Sequence, residues 1–477
     1  MAIVSRVLPA DPVDSLDAYK AAGGCRGLEA ARRLGPAAII EDVEASGLRG
    51  RGGAGFPTGT KWRTVAGYSS AALPATVVVN GAEGEPGSFK DRTLLRRNPY
   101  AVIEGALIAA MAVGADRVVV AVKSSFTAER ARLAQAISEI EAAGWAEGVA
   151  LGVATGPSEY LFGEETALLE VLDGRPPFPR VAPPFRRGVD EIGVEPDEAA
   201  GSQMAQRDHR GAPPTLANNV ETMANIPLVL ADGPAAFRSV GTDESPGTIV
   251  CTVSGATVRG GVAEFAMGTP LAEIIDTVGG GRRRERHYAF ALSGVASALI
   301  PAAAFDTPAT YEDMAAIGSG LGAAGFMVFD DATDPAAVAA GVSRFLGVES
   351  CGQCTPCKDD GVTISLGLAK LCAGTADEHD LDEIVSRTAT VADEARCSLA
   401  RQHQAVMDSV LRLYPDVLRR RLDPALDPVT PVLIAPIVDI TADGEVVLDD
   451  EHARKQPDWT FADHDSGKAP AQLYAEQ

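Results

Sequence analysis

The chain has 477 residues, more than one ordinary domain holds, and its length suggests roughly three. Its net charge of −23 leaves no excess of cations to neutralise phosphates, which argues against nucleic acid as a partner. With 46% hydrophobic and 22% charged residues the composition is globular, and no apolar run is long enough for a membrane helix. The first twenty residues lack a charged region followed by an apolar core, so no signal peptide is expected. Seven cysteines, an odd number with four gathered late in the chain, fit a reducing compartment and a metal site better than a disulfide framework.

Two helical stretches are expected within 13–45, from the spacing of Leu28, Ala31 and Leu34 and of Ile39, Ile40 and Val43. Residues 47–59 then carry six glycines in thirteen positions, beside Arg49, Arg51 and Lys61. Glycine lets backbone amides approach a phosphate or a flat ring closely. The stretch reads as an anion- or cofactor-binding loop, with a tight structural loop as the alternative. Its spacing is neither GxGxxG after a strand nor a Walker motif. A buried strand is expected at 75–80, running into Asn80, Glu83 and Glu85. Polar groups at the carboxyl end of such a strand are where open α/β sheets bind ligands. Glu83 and Glu85 lie two apart and face the same way on an extended segment; a solvated acidic turn is the alternative.

A helix at 99–114, a strand at 117–122, a helix at 128–143 and a strand at 150–154 continue the alternation. That order predicts a mostly parallel sheet with helices on its faces. Glu164 and Glu165 stand at a helix start, where they complement the helix dipole or hold ribose hydroxyls. Residues 176–214 are rich in proline, glycine and charge and read as a surface excursion, and 216–226 as the beginning of a helix. From 247 short strands surround one helix, which suggests a small α+β module. Residues 334–420 turn helical.

Within that helical region Cys351, Cys354 and Cys357 recur every third residue, and Cys397 follows forty positions on. Three thiolates at that spacing turn toward one point on a tight loop or helical turn, and a distant fourth closes the site. Four thiolates suit an iron–sulfur cluster, with structural zinc as the other option and inert or redox thiols as a third. Two CxxC steps sharing their middle cysteine are less usual for zinc.

Taken in order, the motifs at 47–62, 80–92, 160–168, 183–185, 218–222 and 349–357, with Cys397, resemble the flavin-bearing, NADH-binding subunit of respiratory complex I. The matching unit of NAD-linked hydrogenases and formate dehydrogenases is similar. The likeness runs from 13 to about 420. It implies a fold of α/β plus α+β plus all-α parts. These are a Rossmann-like FMN- and NADH-binding domain at 1–240, a ubiquitin-like, SLBB-type module at 246–330, and a helical bundle at 334–424 carrying a 4Fe–4S cluster. Residues 425–477 are a C-terminal extension with no chemistry assigned.

The resemblance further implies that Gly50, Gly52, Gly53 and Lys61 contact FMN phosphate and NADH. Asn80, Asn218, Asn219 and Thr222 are expected on the flavin, with Glu83 in the same pocket. Glu85 is expected by the nicotinamide carboxamide, as the residue given a catalytic part. Tyr160, Gly163 and Glu164 line the pocket, Glu165 faces the adenosine ribose and so favours NADH over NADPH, and Phe56 and Phe185 flank adenine. Cys351, Cys354, Cys357 and Cys397 ligate the cluster. The implied reaction is hydride transfer from NADH to FMN, then single-electron transfer to the cluster and on toward quinone. The implied partners are a thioredoxin-like 2Fe–2S subunit and larger iron–sulfur subunits. The implied location is cytoplasmic, reaching the inner membrane face only through the complex.

Four departures from the family pattern stand out. Ala82 replaces an Asp and Thr64 a Phe, which motivates the alternative of an Rnf-complex-like flavin and iron–sulfur carrier that does not use NADH. A zinc-bound structural relative is the third reading. Arg401 or His403, after Cys397, is expected to raise the cluster potential. Residues 186–212 are expected to form a surface insertion.

Overall fold

The computed structural model describes residues 3–189 and 213–476, so most of the insertion expected at 186–212 lies outside the described residues. Strands β1 (Ala75–Gly81), β2 (Ala115–Lys123), β3 (Ala150–Gly156) and β4 (Thr215–Asn219) form a parallel sheet in the order β3-β2-β1-β4. The consecutive valines of β1 and β2 are buried, as a strand covered on both faces requires. The Pro99–Val113 and Thr127–Ala142 helices are the crossovers between the first three strands. Pro99–Val113 is apolar on every side and almost wholly buried. It lies so close to the Val220–Asp232 helix that a Cβ on Gly105 would come within 2.0 Å of the Met223 carbonyl oxygen. Glycine is therefore required there by contact.

A second, five-stranded sheet follows, built from β5 (Thr248–Gly255), β6 (Gly261–Ala266), β7 (Tyr288–Ser293), β8 (Ile300–Pro301) and β9 (Gly325–Asp330). Its order is β6-β5-β9-β7-β8, and β5 and β9 run parallel. The Leu271–Gly279 helix packs its apolar residues into the core of this sheet. The helices Pro335–Glu349, Thr355–Ala373, Glu378–Thr390 and Leu399–Leu413 then pack around a separate apolar cluster. The whole is a mixed α/β fold. Among the described residues no helix is long and apolar enough to cross a membrane.

The expected helix at 216–226 begins later than its sequence suggests. Its first residues are β4, whose Asn218 and Asn219 pair with Val79 and Asn80 of β1. Asn-Asn reads as a turn in isolation, and only the neighbouring strand makes it sheet.

The C-terminal extension is fastened to the rest of the molecule at many points. Val429 N donates to Cys372 O at 2.8 Å and Val432 N to Ala337 O at 2.9 Å. Its hairpin, β10 (Ile437–Ile440) and β11 (Val446–Leu448), reaches the second sheet through Gly260 N to Gly444 O at 2.7 Å. Asp439 pairs with Arg96 at 2.7 Å. The final Pro470–Ala475 helix lies on the cysteine loop, with Ala471 N donating to Cys351 O at 2.9 Å.

Candidate functional site

The chain leaves β1 toward β2 and β3 and returns on the opposite side of β1 at β4. Where strand order reverses in this way, the connections part and leave a crevice beyond the carboxyl ends. Asn80, Asn218 and Asn219 stand at those ends. The glycine loop lies over them. Gly50 N donates to Phe56 O at 2.8 Å, closing the loop, and Arg51 N donates to Thr222 Oγ1 at 2.8 Å. Gly53 has φ +124°, which a side chain would strain, and a Cβ on Gly52 would press on Asn219 at 3.2 Å. Asn219 caps the Val220–Asp232 helix by accepting from Glu221 N at 2.9 Å. A glycine loop set on a helix N-terminus presents amide donors to an anion.

The arginines expected to add charge to this loop do something else. Arg51 is buried, and its guanidinium donates to the carbonyls of Thr248 (3.0 Å), Pro246 (3.0 Å) and Arg49 (3.2 Å). Arg49 donates to Gly55 O at 2.8 Å, pairs with Glu312 at 3.2 Å and lies over the Tyr311 ring at 4.1 Å. Both fasten the loop to the second sheet. Lys61 donates to Ala217 O at 2.8 Å and pairs with Glu165. The cation expected on phosphate and the carboxylate expected on ribose therefore touch each other. Phe56 is 54% exposed, and Phe185 has Tyr68 as its ring neighbour at 5.2 Å. Trp62 Nε1 donates to Asn218 Oδ1 at 2.8 Å, and Asn80 Nδ2 donates to Gly163 O at 2.9 Å.

Glu83 and Glu85 do not act side by side. Glu83 accepts from Ser88 Oγ (2.5 Å), Asp91 N (3.2 Å) and Arg92 N (3.1 Å), closing the start of the Lys90–Arg97 helix. Glu85 turns the other way and accepts from Tyr160 Oη at 2.5 Å and Val295 N at 2.6 Å. Burial pushes the Glu85 carboxyl above its usual range, against the Tyr160 and Val295 hydrogen bonds. Glu164 caps the Glu165–Leu172 helix, accepting from Thr166 N at 3.0 Å and Ala167 N at 2.8 Å.

Beneath the crevice lies Lys90, part of the 80–92 stretch but given no role there. Its buried ammonium contacts Asp91 (2.8 Å), Glu221 (2.9 Å) and Asn219 (3.2 Å). Burial alone would lower its pKa, but Asp91, Glu221 and Glu83 hold it above the usual lysine value.

The cysteine loop follows the Pro335–Glu349 helix. Cys354 stands at the N-cap of Thr355–Ala373 and Cys357 in its first turn, while Cys397 precedes Leu399–Leu413. Burial pushes the Cys351 and Cys357 thiols up to about 11 and Cys397 up to about 12, and each feels the charge of neighbouring thiols. All four thiols are free, Cys351 and Cys357 buried and Cys354 and Cys397 half-buried, and thiols are the donor type a multi-iron cluster takes.

The charge expected from His403 is absent from this loop. Arg401 is solvent-exposed, and burial lowers the pKa of His403 to about 4, so its ring is neutral at pH 7. A buried cation here is Lys358, which donates to Gly347 O (3.0 Å), Val348 O (3.3 Å), Ser350 O (2.9 Å) and Pro457 O. Its place directly after Cys357 is the signal the sequence offers for it.

Glu349, two residues before Cys351, joins this loop to the crevice. Its carboxylate accepts from Tyr160 N at 3.0 Å, and meets His452 Nε2 at 2.9 Å and Lys455 Nζ at 2.8 Å. Tyr160 thus carries one hydrogen bond to Glu85 and another from its backbone to Glu349.

Residues 43–228 match the family described as the Nuo51 FMN-binding domain, and residues 337–421 the NADH-ubiquinone oxidoreductase-F iron-sulfur binding region. The F 2 subunit of the NADH-quinone oxidoreductase of Rhizobium meliloti (strain 1021) is 35% identical over 394 residues, 80% of this chain and 89% of that relative. The chain belongs to the family of NADH-quinone oxidoreductase F subunits. The F subunit of Mycobacterium tuberculosis (strain ATCC 25618 / H37Rv) is 34% identical over 386 residues, 79% of this chain and 82% of the relative. Among solved structures, the NAD+-reducing NiFe hydrogenase in its H2-reduced state superposes with a TM-score of 0.70 and 32% identity. That match covers 83% of this chain but only 64% of the hydrogenase chain. As a member of this family, the chain is an oxidoreductase component with an FMN-binding region and a 4Fe–4S region, and it is one part of a larger complex. The glycine loop on a capped helix N-terminus suits the flavin phosphate, and four free thiols suit the cluster by their donor chemistry.

Proposed function

We propose that this chain is the electron-input subunit of its complex, taking a hydride from NADH and delivering single electrons to a partner iron–sulfur protein. The carrying observation is Tyr160, hydrogen-bonded to Glu85 on the crevice side and to Glu349 on the cysteine side. One residue thus ties the two redox regions together. FMN, when bound, supplies the conversion of a two-electron donor into single electrons. The chain's own residues bind and orient. The loop of Gly50, Gly52 and Gly53 offers amides to phosphate, Asn80, Asn218, Asn219 and Thr222 frame the flavin, and Cys351, Cys354, Cys357 and Cys397 hold the 4Fe–4S cluster. Glu85 positions the nicotinamide, and Phe56 and Phe185 border the adenine.

In this reading the sheet of β1–β4 is the Rossmann-like part, the second sheet the ubiquitin-like module, and the helical region the cluster-binding bundle. A thioredoxin-like 2Fe–2S protein is the proposed acceptor. The chain is placed in the cytoplasm, with contact to the membrane only through its partners.

The test is an anaerobic NADH titration of the flavin- and iron-loaded chain, followed by absorbance and EPR. Flavin bleaching and a reduced-cluster signal are expected. Loaded protein that a reduced ferredoxin bleaches and NADH does not would instead be a carrier that has lost NADH use.

Glu165 gives a second expectation. Its carboxylate repels a 2′-phosphate and occupies Lys61. Glu165→Gln removes one unit charge and releases the lysine, so the NADPH-to-NADH ratio of kcat/KM should rise about tenfold. Steady-state rates with both nucleotides read this directly, and an unchanged ratio would place the ribose elsewhere.

A further inference from the structure

Three buried ammonium groups act on Glu349, two residues before Cys351, and they come from three separate parts of the chain. Lys358 follows Cys357 directly. Lys123 ends β2, donates to Ser158 O at 2.8 Å and lies where a Cβ on Gly84 would meet its Nζ at 2.8 Å. Lys455 belongs to the C-terminal extension, pairs with Glu349 at 2.8 Å and lies over the Trp459 ring at 5.6 Å. All three are among the buried residues. Their buried acidic partner is Glu349. Glu159 and Asp449, which also act on Lys123, are half-exposed.

Buried cations persist only where negative charge or hydrogen bonds compensate them. Lys358 is held by carbonyl oxygens, and burial lowers its pKa and that of Lys123 to about 8. An iron–sulfur cluster on four thiolates has a potential set partly by net charge and surroundings. Taking up one electron makes it one unit more negative. Positive charge fixed around it therefore favours the reduced form.

We propose that Lys455, acting with Lys358, sets the cluster potential, so that the C-terminal extension is a working part of the redox module. This rests on the four cysteines holding a 4Fe–4S cluster. Lys455 acts through charge on Glu349 and on the loop and need not touch the cluster. Glu349 also holds the Tyr160 backbone, so the same lysine steadies the link toward Glu85.

The experiment is a redox titration of the full-length, iron-loaded chain by EPR, comparing the wild type with Lys455→Met and Lys455→Arg. Lys455→Met should shift the one-electron equilibrium at least tenfold toward the oxidised cluster, a potential about 59 mV lower. Lys455→Arg, which keeps the charge, should stay within threefold. A fully loaded Lys455→Met chain within threefold of wild type overturns the proposal. So does an arginine variant that shifts as far as the methionine variant, because packing and not charge would then be the cause. Should Lys455→Met fail to hold iron, Lys455→Gln, which keeps a donor for Glu349 but not the charge, carries the same expected shift and the same overturning result. A wild-type chain that takes up no iron overturns the cluster assignment itself, an outcome separate from these.

Discussion

Replacing Lys90 by methionine is expected to destabilise the crevice region by about 3–5 kcal/mol. Lys90 is the cation between Asp91 at 2.8 Å and Glu221 at 2.9 Å, and all three side chains are buried. Methionine fills a similar volume, so the loss comes from charge. Two carboxylates would remain in a poorly solvated site with no cation between them. Glu221 also accepts from Val250 N at 2.8 Å, and Asn219 donates to Asp91 at 2.6 Å, so the strain reaches β5 and the end of β4. Amide hydrogen exchange in the Val220–Asp232 helix reads the effect locally, without assuming that the whole chain unfolds in one step. The double variant Lys90→Met with Glu221→Gln should recover part of the loss. A single variant that loses less than about 1 kcal/mol would mean that water reaches the carboxylates.

The second large effect concerns pH. His403 is fully buried between helices of the bundle, and neither ring nitrogen has a hydrogen-bond partner. Burial lowers its pKa from 6.5 to about 4. Between those values the unfolded chain takes up a proton that the folded chain refuses. Stability from this residue is therefore fully present above the unfolded pKa and falls as the pH drops toward 4. The span corresponds to about 3 kcal/mol at 1.36 kcal/mol per unit. His403→Leu should flatten this part of the pH dependence and leave the bundle more stable than wild type near pH 5. Hydrogen exchange in the Leu399–Leu413 helix, measured at several pH values, checks it. An unchanged slope in the variant would assign the proton uptake to another group.

How much of this is readable from the chain differs from feature to feature. The valine runs of β1 and β2 state their structure locally, and the strands lie where those patterns put them. Glu83 and Glu85 depart from expectation because strand alternation ends before it reaches them. β1 ends at Gly81, and in the irregular segment that follows the two carboxylates part company. Arg49 and Arg51 look like phosphate ligands beside glycines. The acceptors of Arg51 include Thr248 and Pro246, nearly two hundred residues away, which no local pattern reveals. His403 carries a possible charge in the sequence, and its packing in the bundle removes it. Lys123, Lys358 and Lys455 are invisible as a group in the sequence, because a strand, a helix and the extension each supply one.

The extension also bears on how the protein matures. Residues 425–476 are synthesised after the cysteine loop they cover. Until they settle, Lys358 lacks the Pro457 carbonyl, Glu349 lacks His452 and Lys455, and Gly352 lacks the Ala469 methyl packed against it. The cover over the cysteine loop is therefore complete only once the last helix has docked.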